Sequence, residues 1–360
     1  MTDQYTLAFD SGADPSTARV GGKCAGLLTM TRCGVPVPPG FAVTTDAFDA
    51  VLDGGGPRAE IGSVLAGLDP SDTADTERRA AEVRGLITGR PVPPPVATAV
   101  TAAYRVLGAA GDVPVSVRSS AEMEDLPAIS FAGQYDTYLG VRGADAVVDA
   151  VRRCWASLWT ARAITYRAAR GVPELGLSMA VGVQAMVDAR TAGVALTVNP
   201  ADGDPSKIVI DAAWGLGDPV VSGGTTPDNY VVDKVLLVPV KTTLSPSHHE
   251  LVLAPDGHGL VRRAVEDARR RQACLAPAEI TAVAELAKRV ERHYGCPQDI
   301  EWAIACDAAL LPDGGPRVLL LQARSETFWS RRPRARAAVV PGAGVSSIAD
   351  TMLGLGTLPT

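Results

Sequence analysis

A lysine that follows two glycines is the first feature of the sequence that could bind phosphate. Gly21, Gly22 and Lys23 come directly before CAGLLTMTRCG, a run that predicts a helix ending at Gly34. Glycines let a ligand approach the backbone closely, and a helix N-terminus together with an ammonium group can hold phosphate oxygens. The segment lacks the P-loop spacing GxxxxGK followed by Ser or Thr. A glycine turn carrying a solvated lysine is therefore the alternative.

An arginine at the end of a predicted strand is the second feature. Arg118 ends the short apolar run VPVSVRSS, and a loop with acidic and small residues follows it. A planar guanidinium suits phosphate oxygens, and the small residues of FAG at 131–133 would let backbone amides close over them. The segment predicts an anion site. The alternative is a structural arginine paired with a nearby carboxylate, namely Glu122, Glu124 or Asp125.

Two late strands carry the third group of polar residues. Alternation along a strand places Asp299 and Glu301 on one face, and likewise Gln322 and Arg324 on the next predicted strand. If the strands are neighbours, these four side chains converge, and oxygen ligands of this kind suit Mg²⁺. In the empty protein we expect an unpaired acidic cluster, so that removing the charge of Glu301 leaves stability unchanged or raises it. A solvent-facing polar edge is the alternative.

Composition limits the classes of function. The chain has 360 residues, a net charge of −6, 46% apolar residues and 5% aromatic residues. We expect no binding to nucleic acid or anionic lipid, and a core of aliphatic residues without aromatic stacks. Six cysteines at irregular spacings, no signal-peptide pattern and no apolar run of membrane length predict a soluble cytoplasmic protein without disulfides or structural zinc.

Periodicity predicts the elements that must position these residues. Helices are expected over 45–52, 74–87, 97–111, 144–170 and 277–294, and strands over 113–120, 179–187, 192–199, 207–215, 229–234, 299–305 and 317–324. Residues from about 180 onward are rich in strand-forming segments. After residue 330 the chain has a basic, proline-containing linker and the apolar run SSIADTMLGLG. The pattern predicts an α+β (α/β) protein.

Six separated segments resemble, in order, the opening part of phosphoenolpyruvate synthases, pyruvate phosphate dikinase and rifampicin phosphotransferase. They are GGKCAGLLTMTRCGVPVPPGFAVTTDAF, VRSSAEMEDLPAISFAGQYDTYLGV, CWASLWTARAITYR, VGVQAMVDARTAGVALTVNP, IVIDAAWGLGDPVVSGGTTPDNYVVD and QDIEWAI with LLLQARSET. The resemblance implies an ATP-grasp fold whose two lobes enclose a nucleotide cleft. The N-terminal lobe would span 1–190, with a phosphate-covering loop near 118–135. The C-terminal lobe, with a magnesium site, would span 191–330, and residues 331–360 would form a linker and a partner-docking tail.

The resemblance also implies roles for individual residues. Lys23 and Arg118 would hold ATP phosphates, and Arg324 would contact the phosphate that is transferred, so these three are the predicted catalytic residues. Glu301 and Gln322 would bind Mg²⁺. The remaining predicted ATP-binding residues are Ala132, Gly133 and Gln134 in the covering loop, Gln184, Met186 and Val187 in a hinge beside adenine, and Asp299 in support of the metal site. The sequence departs from the family pattern at Ala185, where relatives often have lysine, and at Asp211 and Asp218, where glutamate is common.

The resemblance predicts the function of the chain. Full-length relatives continue into a swivelling domain with a phosphorylated histidine and a substrate domain, and this sequence ends before either. The split arrangement is similar to phenylphosphate synthase. We therefore expect an ATP-binding, dikinase-type subunit of a hetero-oligomer. It would pass phosphate to a histidine on a separate swivel subunit, with a phenol or alkylphenol as acceptor and with AMP and phosphate as products. A self-sufficient ATP-grasp kinase or ligase and a nucleotide-sensing regulatory module are the alternatives.

Overall fold

The computed structural model describes the chain in separate stretches, and everything below concerns these stretches. They are residues 4–13, 16–53, 56–108, 112–121, 125–126, 129–130, 135–174, 176–246, 248–255, 257–306 and 317–329. Of 125–126 and 129–130 only the backbone is described. The predicted loop residues Ala132, Gly133 and Gln134, and the predicted tail 331–360, lie outside the described residues.

The first sheet takes its strands from the N-terminal half of the chain. Their order across the sheet is β1 (Thr6–Ala8), β2 (Gly40–Val43), β7 (Ala180–Ala185), β3 (Val115–Ser120) and β6 (Thr137–Val141). Each strand pairs antiparallel with its neighbours. The central strands VSVRSS and AVGVQA are mostly buried runs of small and β-branched residues, which suit a sheet covered by other elements. The site residue Arg118 lies on one of these central strands.

The second sheet takes its strands from the C-terminal half and is also antiparallel. Their order is β11 (Pro239–Thr243), β10 (Asp228–Asp233), β9 (Lys207–Trp214), β8 (Ala189–Leu196), β14 (Gln298–Ala305) and β15 (Val318–Ser325). Two small hairpins accompany the sheets, β4 (Asp125–Leu126) with β5 (Ile129–Ser130), and β12 (His249–Leu253) with β13 (Leu260–Ala264). The condition under which the four polar side chains of the two late strands converge is met, because β14 pairs directly with β15.

Helices complete a mixed α/β architecture, as the sequence predicts. They are α1 (Thr17–Arg32), α2 (Thr45–Asp53), α3 (Arg58–Leu65), α4 (Thr73–Thr88), α5 (Pro94–Leu107), α6 (Ala144–Ala156), α7 (Ala161–Ala168), α8 (Asp218–Val221) and α9 (Pro277–Tyr294). Helix α9 has the predicted bounds and ends at Gly295, whose backbone is left-handed. Within the described part of the chain, no helix combines the length and the apolar composition that a membrane crossing requires.

Separate apolar clusters hold the two sheets to their helices. Phe48, Trp155 and Trp159 are buried with the first sheet, and Trp302 and Tyr230 with the second. The expectation of a core without aromatic stacks is wrong, because the rings of Phe48 and Trp159 stack at 6.3 Å with an interplanar angle of 10°. A few large rings fill more volume than their share of the composition indicates.

Helix α1 packs against strands of both sheets and so joins them. It contacts β3 and β7 of the first sheet and β15 of the second. Its apolar residues Val20, Cys24 and Leu28 are buried around Phe9, and Met30 belongs to the cluster of the second sheet. The helix that carries Lys23 therefore lies where the two sheets meet.

The predicted helix over 144–170 is interrupted in the structure. Helix α6 ends at Ala156, a single 3-10 turn follows over Ser157–Trp159, and α7 starts after Thr160. The Ser157 hydroxyl donates to the carbonyl of Cys154 at 2.7 Å, and the Thr160 hydroxyl accepts from the peptide N–H of Ala163 at 3.3 Å. Serine and threonine side chains compete in this way for backbone groups, which the apolar period alone does not report.

Candidate functional site

One cavity is lined by residues of both sheets, with contributions from α1 and α8. Eight of the residues predicted from the sequence line its wall: Lys23, Arg118, Gln184, Met186, Val187, Glu301, Gln322 and Arg324. Asp299 does not line the wall. The structure therefore brings together side chains that are nearly 300 positions apart in sequence, and it separates them into a charged end and an apolar end.

Lys23 reaches the charged end because α1 is kinked just before it. Gly21 has a φ of 69° and a ψ of 169°, outside the helical region, so a new helical segment starts beside Lys23. The kink lies against the end of β3, where a Cβ atom on Gly21 would be 1.7 Å from the carbonyl oxygen of Ser120. Lys23 Nζ donates to the carbonyl of Ser119 at 3.1 Å. The GGK segment is thus a tight contact between helix and strand, and Lys23 is held at a cavity wall.

Arg118 forms an ion pair across the cavity with Glu301. Its Nη1 donates to Glu301 Oε2 at 3.0 Å, and the two side chains are 23% and 18% exposed. The Nε atom of Arg118 is buried and has no hydrogen-bond partner among the described residues. The alternative partners Glu122, Glu124 and the side chain of Asp125 lie outside the described residues. Arg118 is therefore a cavity residue that keeps unused hydrogen-bonding capacity.

The strand register sets the remaining polar residues opposite one another. Glu301 is the cross-strand partner of Gln322, and Asp299 is the partner of Arg324. Arg324 Nη2 lies 2.7 Å from Asp299 Oδ2. The expectation of an unpaired acidic cluster is wrong, since each carboxylate faces an arginine. Sequence reasoning missed the pair of Arg118 and Glu301 because it did not consider an ion pair between the two sheets, and it did not pair Asp299 with Arg324 within one sheet.

The donor set at the charged end suits a hard cation. Glu301 and Gln322 supply neighbouring oxygen atoms from adjacent strands, and Mg²⁺ takes few protein ligands when phosphate and water supply the others. Among the described residues, no group of three or more His, Cys, Asp or Glu side chains forms a metal cluster of its own. The residues present fit a magnesium ion that shares its ligands with a phosphate.

The predicted hinge runs from the charged end to the apolar end of the cavity. Gln184 shares a small pocket with Lys23, Arg118 and Gln322, whereas Met186 and Val187 pack against the apolar cluster that contains Leu216. Gln184 is 4% exposed, and its Nε2 atom has no hydrogen-bond partner among the described residues. The peptide N–H of Met186 donates to the carbonyl of Pro114 at 2.9 Å, and its sulfur accepts from the N–H of Gly140 at 2.9 Å. The peptide N–H and the sulfur of Met186 are therefore both already bonded, whereas Gln184 offers a buried donor.

Sequence reasoning missed most of the apolar wall. Leu139, Leu216, Val221, Trp302 and Leu321 line the cavity, and Asp218, noted only as a departure from the family pattern, lies beside them. Leu216 is held by the β12–β13 hairpin, because its N–H donates to the carbonyl of Leu251 at 2.8 Å. These residues come from four different elements and from the connection between β9 and α8, and only the fold brings them together.

The β12–β13 hairpin also contacts the first sheet beside this wall. The N–H of Gly259 donates to the carbonyl of Gly140 at 3.0 Å, and Leu260 packs with Met186 and Leu216.

Tyr138 lies on the same strand as Gly140. Burial and the nearby charge of Asp136 raise the pKa of Tyr138 to about 12. That phenol therefore stays protonated and cannot act as a base at neutral pH.

Comparison with known proteins bears on the family of the chain. The family described as pyruvate phosphate dikinase, AMP/ATP-binding domain, matches residues 17–340. A probable phosphoenolpyruvate synthase of Methanothermobacter thermautotrophicus is 39% identical over 346 residues, which are 95% of this chain and 50% of that protein. A phosphoenolpyruvate synthase of Aeropyrum pernix is 40% identical over 368 residues, covering 95% of this chain and 44% of that protein.

A rifampicin phosphotransferase from a Streptomyces species is also similar, with 40% identity over 291 residues, 81% of this chain and 33% of that protein. The chain thus spans half or less of the length of these relatives. The resemblance inferred from the six sequence segments is confirmed by both kinds of match. The chain belongs to the family of pyruvate phosphate dikinase AMP/ATP-binding domains.

Proposed function

We propose that the cavity binds ATP together with Mg²⁺ and that this ATP-grasp module passes phosphate to a histidine on a separate swivel subunit. The observation that carries the proposal is the convergence of Lys23, Arg118, Glu301 and Gln322 on one cavity of a chain in an AMP/ATP-binding family. Two cations and an oxygen ligand pair suit a triphosphate and its metal ion. The apolar end suits adenine.

The residues of the chain would act by positioning and by charge. Lys23 and Arg118 would hold phosphate oxygens, and Arg324 would neutralise the phosphate that moves. Glu301 and Gln322 would hold Mg²⁺, which supplies positive charge to the phosphate oxygens when it is bound. Arg118 would meet a phosphate through its unpartnered Nε or by releasing Glu301 from Nη1. In the second case Glu301 becomes available to the metal ion, so Arg118 and Glu301 can take up both roles when ATP and Mg²⁺ are bound together.

The apolar end would hold the base. The unpartnered Nε2 of Gln184 would donate to an acceptor of the ligand, and Met186 and Val187 would contact the ring. The loop with Ala132, Gly133 and Gln134 would cover the phosphates. We keep as part of this proposal the two lobes, 1–190 and 191–330, and the partner-docking tail 331–360.

The overall reaction would convert ATP, water and an acceptor into phosphorylated acceptor, AMP and phosphate. A phenol or alkylphenol is the proposed acceptor, and it would meet the phosphohistidine on the partner. The experiment compares AMP release by the chain alone, with a histidine-bearing swivel subunit, and with that subunit after its histidine is replaced by alanine. We expect rapid AMP release only in the second mixture.

The same experiment separates the alternatives. ADP formation with a small acceptor and no partner would identify a self-sufficient kinase and would overturn the proposal. Nucleotide binding without turnover in any mixture would favour a nucleotide-sensing module. Absence of nucleotide binding would contradict all three.

A further inference from the structure

Ser120 connects the end of β3 to the kink of α1 through its hydroxyl group. The side chain is fully buried, with 0% exposure. Its Oγ atom donates to the carbonyl of Val20 at 2.8 Å and accepts from the peptide N–H of Cys24 at 3.0 Å. In a regular helix these two peptide groups, four residues apart, bond to each other. The Ser120 hydroxyl is therefore inserted between the carbonyl and the N–H that would form a hydrogen bond of a regular helix. Insertion of a side chain in this way is a recognised cause of a kink.

The two bridged residues lie on either side of Lys23. Val20 precedes the non-helical Gly21, and Cys24 directly follows Lys23. The lysine side chain is held by the same strand end, because its Nζ donates to the carbonyl of Ser119 at 3.1 Å. Both the backbone and the ammonium group of Lys23 are thus fixed relative to one dipeptide of β3.

The helix and the strand approach each other closely at this contact. A Cβ atom on Gly21 would lie 2.5 Å from Ser120 Oγ as well as 1.7 Å from the Ser120 carbonyl. The close approach of helix and strand therefore leaves no room for a Cβ atom at position 21. An alanine at 120 would leave the carbonyl of Val20 and the N–H of Cys24 without this bridge in a buried location.

We infer that Ser120 is a positioning residue for nucleotide binding, acting through Lys23. Its hydroxyl group fixes the kink of α1 so that the ammonium group of Lys23 is directed at the phosphate end of the cavity. The inference rests on the proposed function, in which Lys23 holds an ATP phosphate. Ser120 itself does not line the cavity.

The test compares Ser120→Ala with wild type by calorimetry, using two probes in the presence of Mg²⁺. ATP carries the phosphates that Lys23 would contact, whereas adenosine carries none. We expect ATP affinity to fall about fivefold to tenfold, the size of one ordinary net hydrogen bond, and adenosine affinity to stay unchanged. On the Lys23→Ala background, Ser120→Ala should have no further effect on ATP affinity, because the two residues act as one unit.

Two variants control for a general loss of structure. Thr44 is also fully buried, and its hydroxyl donates to the carbonyl of Gln4 at 2.7 Å, away from the cavity. Thr44→Val should lower the thermal midpoint without changing the affinity for ATP. Ser120→Cys keeps a weaker donor and acceptor at the same position, so its ATP affinity should lie between those of wild type and Ser120→Ala.

The outcomes are distinguishable. Equal losses for ATP and adenosine, or an additive effect of Ser120→Ala on the Lys23→Ala background, would show that Ser120 only stabilises the fold. An unchanged ATP affinity of Ser120→Ala would equally overturn the inference. If wild type binds neither probe, the proposed function itself fails.

Discussion

Replacing Glu301 with glutamine should change how the protein discriminates between metal-free ATP and magnesium–ATP. In the structure Glu301 holds Arg118 at 3.0 Å, and both side chains line the cavity. Metal-free ATP would attract the guanidinium of Arg118 away from Glu301, and the Glu301 carboxylate would then face the triphosphate. With Mg²⁺ present, the carboxylate would have a cation to bind. Glu301 should therefore penalise the first ligand and favour the second.

The size of the penalty follows from the charges. At an effective dielectric constant of about 20, two like charges about 6 Å apart repel by about 3 kcal/mol. Glu301 is 18% exposed, so solvent screens only part of this repulsion. We take about 1.4 kcal/mol as a lower bound for the repulsion that remains, which corresponds to tenfold in affinity. Loss of outer-shell groups typically costs metal affinity about 10-fold or more, so removing a direct carboxylate ligand should cost magnesium–ATP at least that much.

The assay is calorimetry of ATP binding to wild type and Glu301→Gln, first with a chelator and then with saturating Mg²⁺. We expect metal-free ATP to bind the variant about tenfold more tightly and magnesium–ATP to bind it at least about tenfold more weakly. The thermal midpoint should fall by about 2 °C, because Arg118 loses a half-buried partner worth about 1 kcal/mol.

A matched control exists elsewhere in the chain. Glu291 pairs with Lys234 at 2.9 Å and is 21% exposed, close to the value for Glu301, but it does not line the cavity. Glu291→Gln should lower the midpoint by a similar amount and leave both affinities unchanged. If Glu301→Gln behaves like this control, Glu301 is a structural carboxylate and the reasoning is refuted.

Three further substitutions test the geometry. Gly21→Ala should lower ATP affinity and the thermal midpoint together, since its Cβ would collide with Ser120 at a positive φ, and an unchanged midpoint would contradict the tight contact. Gly140→Ala would place a Cβ 2.8 Å from the backbone of Gly259, so it should weaken adenosine binding by displacing the β12–β13 hairpin, whereas Gly259→Ala, which meets no atom within 4 Å, should do so less. Burial and Asp136 raise the pKa of Tyr138 to about 12, above its unfolded value of about 10. The neutral phenol therefore favours the folded state, and urea unfolding should show that wild type loses stability relative to Tyr138→Phe between about pH 10 and about pH 12; equal pH dependence would refute this.

The sequence predicted the charged residues of the site better than their contacts. Strand alternation was sufficient to place Asp299 with Glu301, and Gln322 with Arg324, because the period of two is a local property. The sequence left open whether the two strands are neighbours, which the structure shows. The bond between Arg118 and Glu301 joins different sheets, and no local pattern reports it. The resemblance supplied the order of the segments, but it did not reveal this ion pair.

The kink of α1 and the apolar wall show a second limit of sequence reasoning. The sequence GGK indicates a simple glycine turn. In the structure, glycine is required at position 21 because Ser120, which lies about a hundred positions away in sequence, is too close for a Cβ atom there. The wall residue Leu216 is held by the β12–β13 hairpin, which the apolar periodicity did not predict. Tertiary contacts of this kind follow from the fold and not from local propensity.

Calorimetric titration of ATP with Mg²⁺ into wild type and Arg118→Ala tests the central claim most directly. Arg118 lines the cavity with a buried Nε atom that has no partner among the described residues, so a phosphate contact there would be charge-assisted and partly desolvated. We predict saturable binding of one nucleotide per wild-type chain, weakened on the order of 10²-fold by the substitution, in line with the loss of one charged contact of about 3 kcal/mol. Absence of binding to wild type, or equally tight binding to Arg118→Ala, would contradict a nucleotide site in this cavity.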